Sequence, residues 1–297
     1  MSTFFNDKIF AQDVMEALIP MIAPLMFFTK DVSSYSANKG DAIIVPLTSA
    51  ATATTFSYNN NSGFPYENTD GTISAITVTM NEQHIHGVDI SDLQAVNSST
   101  ARMQNFVKQS AAAVANRLLS RVFASLLTTN FPNVVTTLAN ASWSKTQVRR
   151  AKLLFEQNNV PKGDRALIVD PEIEDALLGD TNIQQAFQYG GAEAIREGRI
   201  PSLLGFQVMS SNLIPLNGIS LVGFSCHADA IVFASRYLAP QDPAAYAAVE
   251  QITHPSGFTM GYRRHFNPGK GKHFANFEVL FGTGIGITAA IGLCIKP

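Results

Sequence analysis

Along residues 98–128 apolar side chains recur at steps of three and four: Met103, Phe106, Val107, Val114, Leu118, Val122 and Leu126, with Ser110 in register. That spacing lines one face of an α-helix. It predicts a helix from about Ser98 to Thr128, on the order of 45 Å long at about 1.5 Å per residue. A rod of that length suits a spine that carries contacts between subunits as well as covering a sheet, although a long core helix in another α/β protein has the same pattern. Upstream, Val14 to Phe28 reads as an amphipathic, proline-interrupted helix that leads into the polar connector Asp31 to Gly40. Two β-branched runs follow, 42–46 and 73–80, the second alternating in its later part. Between them lies a polar loop, Thr48 to Thr72, that holds four rings, Phe56, Tyr58, Phe64 and Tyr66. Such a loop is too polar to form a core, so docking on a neighbour is the arrangement that buries its rings.

After the long helix, Ser144-Lys145-Thr146-Gln147 has the form of a capping box, with Val148, Ala151, Leu154 and Phe155 at helical spacing behind it. A helix of about 14 residues is predicted there. Arg165 to Asp170 reads as a short buried strand, and Pro171 starts another helix. Further strands are expected at 203–208, 219–224 and 231–234, and long strands and turns from Ala247 onward.

With 297 residues and 46% hydrophobic side chains the chain can build a substantial core, as one large domain or two. Only 15% of residues are charged, against an average of about 25% in soluble domains. The shortfall points to surface covered by something other than water, and self-association is the simplest cover. A net charge of −2 argues against a protein that clamps nucleic acid through a basic face. Cys226 and Cys294 make no disulfide framework. The apolar stretch 14–28 contains Glu16, Pro20 and Pro24 and is shorter than a membrane span, and no positive leader precedes it. Synthesis in the cytosol is expected.

The candidate catalytic motifs are weak. Gly282-Thr283-Gly284-Ile285-Gly286 begins like a dinucleotide fingerprint, but only eleven residues follow Gly286. That is too short for the helix and return strand of a βαβ unit, and glycines packed closely in a terminal strand pair explain the run better. His84 and His86 share one face of a strand without a third ligand or an HExxH motif, so solvent-facing or locally bonded imidazoles are expected in place of a metal site. Cys226 and His227 are neighbours on a strand and point to opposite faces, which disfavours a dyad. Glu172, Glu174 and Asp175 sit in the first turn after Pro171, where they suit the positive end of a helix. One basic group stands out: Arg263, Arg264, His265, Lys270, Lys272 and His273, around the turn Asn267-Pro268-Gly269. These charges are expected to pair with acids on a neighbouring subunit or to face nucleic acid.

The order of these segments resembles that of the major capsid proteins of tailed phages, with the Hong Kong 97-type fold that encapsulin nanocompartments share. Lys39-Gly40-Asp41 leading into Ile43-Ile44-Val45-Pro46 resembles the family's entry from its N-terminal arm into the extended E-loop. Val160-Pro161 through Arg165, Leu167-Ile168-Val169, Pro171 and Leu177-Leu178 is similar to a helix–strand–helix passage of the axial A-domain. Arg196-Glu197-Gly198-Arg199-Ile200, then Leu204-Gly205-Phe206-Gln207-Val208 and Ser211-Asn212-Leu213-Ile214-Pro215, resembles another run of that domain. Gly261-Tyr262-Arg263-Arg264 to Phe277-Glu278-Val279 resembles the long strands of the peripheral P-domain. The match covers residues 40–285, and its weight comes from the order of the motifs.

The resemblance implies an α+β fold: an N-terminal arm (1–40), an E-loop hairpin (41–82), a P-domain with the spine helix (83–140), an A-domain (141–245), and returning P-domain strands with a C-terminal segment (246–297). It implies a structural protein without catalytic residues, cofactor or metal. In that role it is the major capsid protein, self-assembling into pentamers and hexamers of an icosahedral shell around a double-stranded DNA phage genome. The virion is its location, after assembly in the host cytoplasm. Phe56, Tyr58, Phe64 and Tyr66 are expected over an adjacent subunit, and the arm residues Val14, Leu18, Phe27 and Phe28 against another. Arg263, Arg264, Lys270 and Lys272 form the basic loop. Further partners implied are a portal, a separate scaffolding protein, since Met1 stands close to the arm helix, and packaged DNA through weak non-specific contact; no membrane is implied. No lysine lies between Gly40 and Val107, so an isopeptide cross-link from the E-loop is not expected. An encapsulin-type compartment shell is the alternative within the fold, and a nucleotide-dependent α/β enzyme the alternative outside it.

Overall fold

A computed structural model describes residues 7–32, 42–48, 73–91, 100–183, 200, 202–255 and 257–297. The first helix, α1 (Asp7–Met21), buries Phe10, Ala11, Val14, Met15 and Leu18, a stripe that recurs every three or four residues. The long helix, α2 (Thr100–Phe123), packs against it through Val107, Ala111, Val114, Leu118 and Val122. Each large apolar side chain in this seam contributes roughly 1.5–3 kcal/mol of burial.

The long helix ends five residues earlier than the periodicity predicts. Leu126 is fully buried all the same, and so is Phe131, in the turns that follow. The reason for the stop lies elsewhere in the chain: Asn217 Nδ2 donates to the carbonyls of Phe123 and Leu126, both at 2.9 Å. Both carbonyls lie at or just beyond the end of the helix, where the regular ladder has stopped, and that of Phe123 also accepts from Leu126 N–H at 3.0 Å.

Among the described residues, fourteen strands form two large sheets and one hairpin. The first sheet is built from β1 (Thr29–Asp31), β4 (Glu82–Ser91), β10 (Ile231–Arg236), β11 (Ala248–Thr253), β12 (Thr259–Asn267) and β13 (Lys272–Ile285). Its order is β1-β10-β13-β12-β11, with β4 also paired to β13. The fourteen-residue β13 has β4 along one side, while β12 and then β10 share the other. Between β12 and β13 the predicted turn forms: Gly269 N–H donates to Asn267 Oδ1 at 3.0 Å, and Gly271 has φ +59°. The second sheet runs β5 (Val134–Thr137), β14 (Ile291–Ile295), β9 (Leu221–His227), β6 (Arg165–Val169), β8 (Phe206–Ser210), β7 (Ser202–Leu203). Two strands, β2 (Ala42–Thr48) and β3 (Ile73–Thr79), make the hairpin.

Two short helices cover one face of the second sheet. One is α3 (Lys145–Gln157), which starts with the predicted capping box: Ser144 N–H donates to Gln147 Oε1 at 3.0 Å. The other is α4 (Pro171–Leu178), capped by Asp170, whose carboxylate accepts from Glu172 N–H at 3.0 Å. Because β6 is buried on both faces, its residues divide: Ala166 and Ile168 join the core shared with α1 and α2, Leu167 and Val169 the core under α3 and α4. The same division places Cys226 and Cys294 in different cores.

The sheets do not follow the boundaries expected from the sequence. Strand β10, inside 141–245, belongs to the first sheet, whereas β5 and β14, outside that range, belong to the second. Pairing between strands more than forty residues apart decides this, and a local apolar run carries no record of its partner.

Candidate functional site: the long hairpin and the arm docked beside it

The hairpin β12–β13 carries the basic group, and its local pairing follows from strict alternation. His265 lies opposite Phe274 and Phe266 opposite His273, giving stacked or tilted ring pairs with centroids 5.5 and 4.9 Å apart. Lys270 Nζ sits 5.6 Å from the centre of the Phe274 ring. Phe266 remains exposed.

Three of the four predicted basic residues find acids within their own chain. Arg264 Nε and Nη2 donate to the two carboxylate oxygens of Asp7 at 2.8 and 2.9 Å, and Tyr262 Oη donates to the same carboxylate at 2.8 Å. This clamp joins the start of α1 to the middle of β12, and Phe10 continues it by packing on Tyr262 and Phe277. Burial, then the Asp7 hydrogen bond, pushes the Tyr262 hydroxyl well above the ordinary tyrosine range. Arg263 pairs with Glu278 across the two strands, donates to the Leu238 carbonyl and lies over the Tyr246 ring. Burial holds the Glu278 carboxyl above its usual range, against the opposing pull of Arg263 and of the Gln83 amide at 3.2 Å. Gly261 makes room for that carboxylate, since a Cβ there would stand 2.9 Å from Glu278 Cγ. Lys272 reaches Asp89 on β4 at 2.5 Å, and this bond pulls the exposed Asp89 carboxyl below its usual range. A fourth pair, Arg121 with Glu82, ties α2 to the start of β4 and lowers the Glu82 carboxyl. Arg263, Arg264 and Lys272 are thus each paired with an acid inside the subunit.

The arm likewise packs on its own subunit. Val14, Leu18 and Phe28 are fully buried in the chain's own core, and Phe27 packs against it, because α2 and the first sheet together cover the apolar face of the arm. The outward side shows Ile9 and Met26 instead. Phe56, Tyr58, Phe64 and Tyr66 lie outside the described residues.

The acidic partners Asp7, Glu82, Asp89 and Glu278 were not picked out from sequence. Asp7 is 257 residues from Arg264, and its only local signal is an acid in the first turn of a helix. The late glycines serve close packing: a Cβ on Gly282 would stand 2.3 Å from the Thr79 carbonyl oxygen, and one on Gly286 2.4 Å from that of Asp229. A strand and a short 3-10 turn, not a helix, surround them. His84 packs against the Phe281 ring, tilted with centroids 5.1 Å apart, and burial lowers its pKa. Among the described residues no three His, Cys, Asp or Glu converge as a metal site would require. Both cysteine thiols are pushed upward by complete burial, so neither offers a thiolate. Among the described residues no helix is long and apolar enough to cross a membrane.

A family model described as Phage capsid protein matches residues 81–278. No curated protein matches the chain. Solved structures similar to it include a chain from the capsid of Cyanophage P-SCSP1u, at 15% identity and TM-score 0.63, covering 91% of this chain and 86% of that one. Another comes from Mycobacterium phage Che8, at 15% identity and TM-score 0.59, covering 92% and 90%. A third is from the mature capsid of bacteriophage PhiM1, at 8% identity and TM-score 0.59, covering 92% and 86%. At these identities the likeness establishes the fold, a mixed α+β arrangement of the Hong Kong 97 type.

Proposed function

Because this chain belongs to the phage capsid protein family, we propose that it is the major capsid protein, whose copies form the pentamers and hexamers of an icosahedral shell around a double-stranded DNA genome. The match over residues 81–278 carries this reading, since it takes in the long helix and most strands of both large sheets. The internal pairing of Arg263, Arg264 and Lys272, together with a net charge of −2, supports a lining that holds DNA weakly and without sequence preference. The rings of Phe56, Tyr58, Phe64 and Tyr66 are the proposed contact to an adjacent subunit, and the exposed Ile9 and Met26 replace the buried arm residues as the proposed contact to a further one. Many modest contacts suffice, because closure repeats each of them around the shell. A portal and a separate scaffolding protein complete the assembly, and the virion is the site of action.

Negative-stain electron microscopy of the purified chain, taken across a size-exclusion column, tests this. Closed particles, rings or tubes in the void fractions are expected. A chain that stays monomeric at high concentration, alone and when coexpressed with the other head proteins of its phage, overturns the reading.

A further inference from the structure

The turn 216–219 carries the chain's one Asn-Gly step, Asn217-Gly218. Ile219 N–H closes it on the Leu216 carbonyl at 3.0 Å, and its two central residues have φ +51° and +69°. Positive φ at both centres belongs to a type I′ turn, and asparagine followed by glycine is the pair that adopts it with least strain. The same pair carries a chemistry of its own. When an asparagine carboxamide faces the next peptide nitrogen, that nitrogen attacks Cγ, and a glycine has no side chain to shield it. The N–Cγ bond forms, the Cγ–Nδ2 bond breaks, and ammonia leaves with the proton that the peptide nitrogen gave up. Water then opens the succinimide to aspartate or isoaspartate, and is the reaction's one co-reactant.

Two features of this site act in opposite directions. The attacking nitrogen is accessible: Gly218 is exposed, a Cβ placed on it would meet nothing within 4 Å, and its N–H has no backbone partner among the described residues. The leaving group is held. Asn217 is half-buried, and its Nδ2, with two hydrogens to donate, bonds the carbonyls of Phe123 and Leu126, each at 2.9 Å. Those bonds fix the plane of the carboxamide and occupy the nitrogen that must take up a proton before it departs. The reaction therefore waits on a local opening that frees Asn217 from the end of α2.

We propose that Asn217-Gly218 is a latched deamidation site, stable while its amide holds the end of α2 and converted when that end is released. Closing again does not undo the conversion. Aspartate at 217 sets a carboxylate where a donor stood, against the Phe123 and Leu126 carbonyls, and isoaspartate also inserts an atom into the backbone of the turn. A subunit that has stood open thus loses its helix-end latch permanently, and open and closed histories become chemically distinct. The site needs neither partner nor cofactor, and it does not depend on the shell reading.

Peptide mass spectrometry tests it on the full chain, kept as dispersed subunits at mildly alkaline pH, where the peptide nitrogen is more readily deprotonated. Replacement of NH2 by OH at residue 217, with the aspartate and isoaspartate peptides separated by chromatography, is followed in native buffer and in unfolding urea. Conversion is expected to be on the order of thirtyfold slower in native buffer, the factor that two hydrogen bonds of ordinary net strength supply. Gly218→Ala, which shields the nitrogen, is expected to slow it in urea. After the urea is removed, the converted chain is expected to exchange amide hydrogens faster than the unconverted chain over residues 124–131, or to stay unfolded while the unconverted chain in the same sample refolds. Equal rates in the two conditions overturn the proposal, as does absence of conversion at 217 in urea. Converted chain that refolds with unchanged exchange over 124–131 also overturns it, because the amide is then no latch.

Discussion

Removing the Asp7 carboxylate with Asp7→Ala tests how firmly the arm is held to its own subunit. The side chain accepts three hydrogen bonds at 2.8 to 2.9 Å, two from Arg264 and one from Tyr262. The Asp7 and Arg264 side chains are 16% and 21% exposed, so water screens the pair only in part. A hydrogen bond to a charged group contributes roughly 1.5–3 kcal/mol, and an exposed ion pair about 0–1. An intermediate value of about 2 kcal/mol is reasonable for the arginine pair. Tyr262 is fully buried, and leaving its hydroxyl without this acceptor adds about 1 kcal/mol. The sum predicts a loss of about 3 kcal/mol, which for a chain of this size lowers Tm by on the order of 6–12 °C. The assay is thermal unfolding of dispersed subunits, followed by tyrosine fluorescence and circular dichroism. A cycle of Asp7→Ala, Arg264→Met and the double variant isolates the pair, with an expected coupling of about 2 kcal/mol. A Tm change below about 2 °C, or a coupling near zero, would show that apolar packing of α1 alone holds the arm and that the clamp is incidental.

Three further outcomes follow from the same geometry. Asn217→Ala removes both donors to the end of the long helix and leaves alanine at φ +51°; a loss of about 2 kcal/mol is expected in urea unfolding, and more for Asn217→Asp, which sets a carboxylate against two carbonyls. Gly282→Val drives a Cβ into the Thr79 carbonyl, which is backbone and cannot step aside; destabilisation of about 3 kcal/mol or more is expected, seen as loss of soluble subunit, while Thr283→Val is tolerated. Because burial raises the Glu278 carboxyl above its unfolded value, its protonation favours the folded state. That contribution is complete below the unfolded pKa and is lost as pH rises through the raised one. Wild type should therefore gain stability relative to Glu278→Gln as pH falls from 7 to about 4.5, and parallel Tm curves would contradict the burial of this group.

Much of the local structure is legible in the sequence because its causes are local. The capping box at Ser144 and Gln147, the Asp170-Pro171 helix start and the Asn267-Pro268-Gly269 turn each need only a few adjacent residues, and each forms as read. The basic group is equally visible as composition. Its partners are not, because Glu278 meets Arg263 across a hairpin and Asp7 meets Arg264 from 257 residues away. The same blindness affected the arm. Periodicity shows that Val14 and Leu18 are buried but cannot say whether the covering surface belongs to the same chain.

The sequence by itself determined the elements, the order in which they occur, a large core with few surface charges, and the resemblance carried by that order. Alternation, helical spacing, caps and turns act over short stretches of chain and so can be read along it. Tertiary structure decided where α2 stops, which strands share a sheet, why Gly282 and Gly286 must lack side chains, and which acid neutralises each arginine. These outcomes depend on distances between segments far apart in sequence. Such distances arise only when the two sheets and the helices pack around their shared cores.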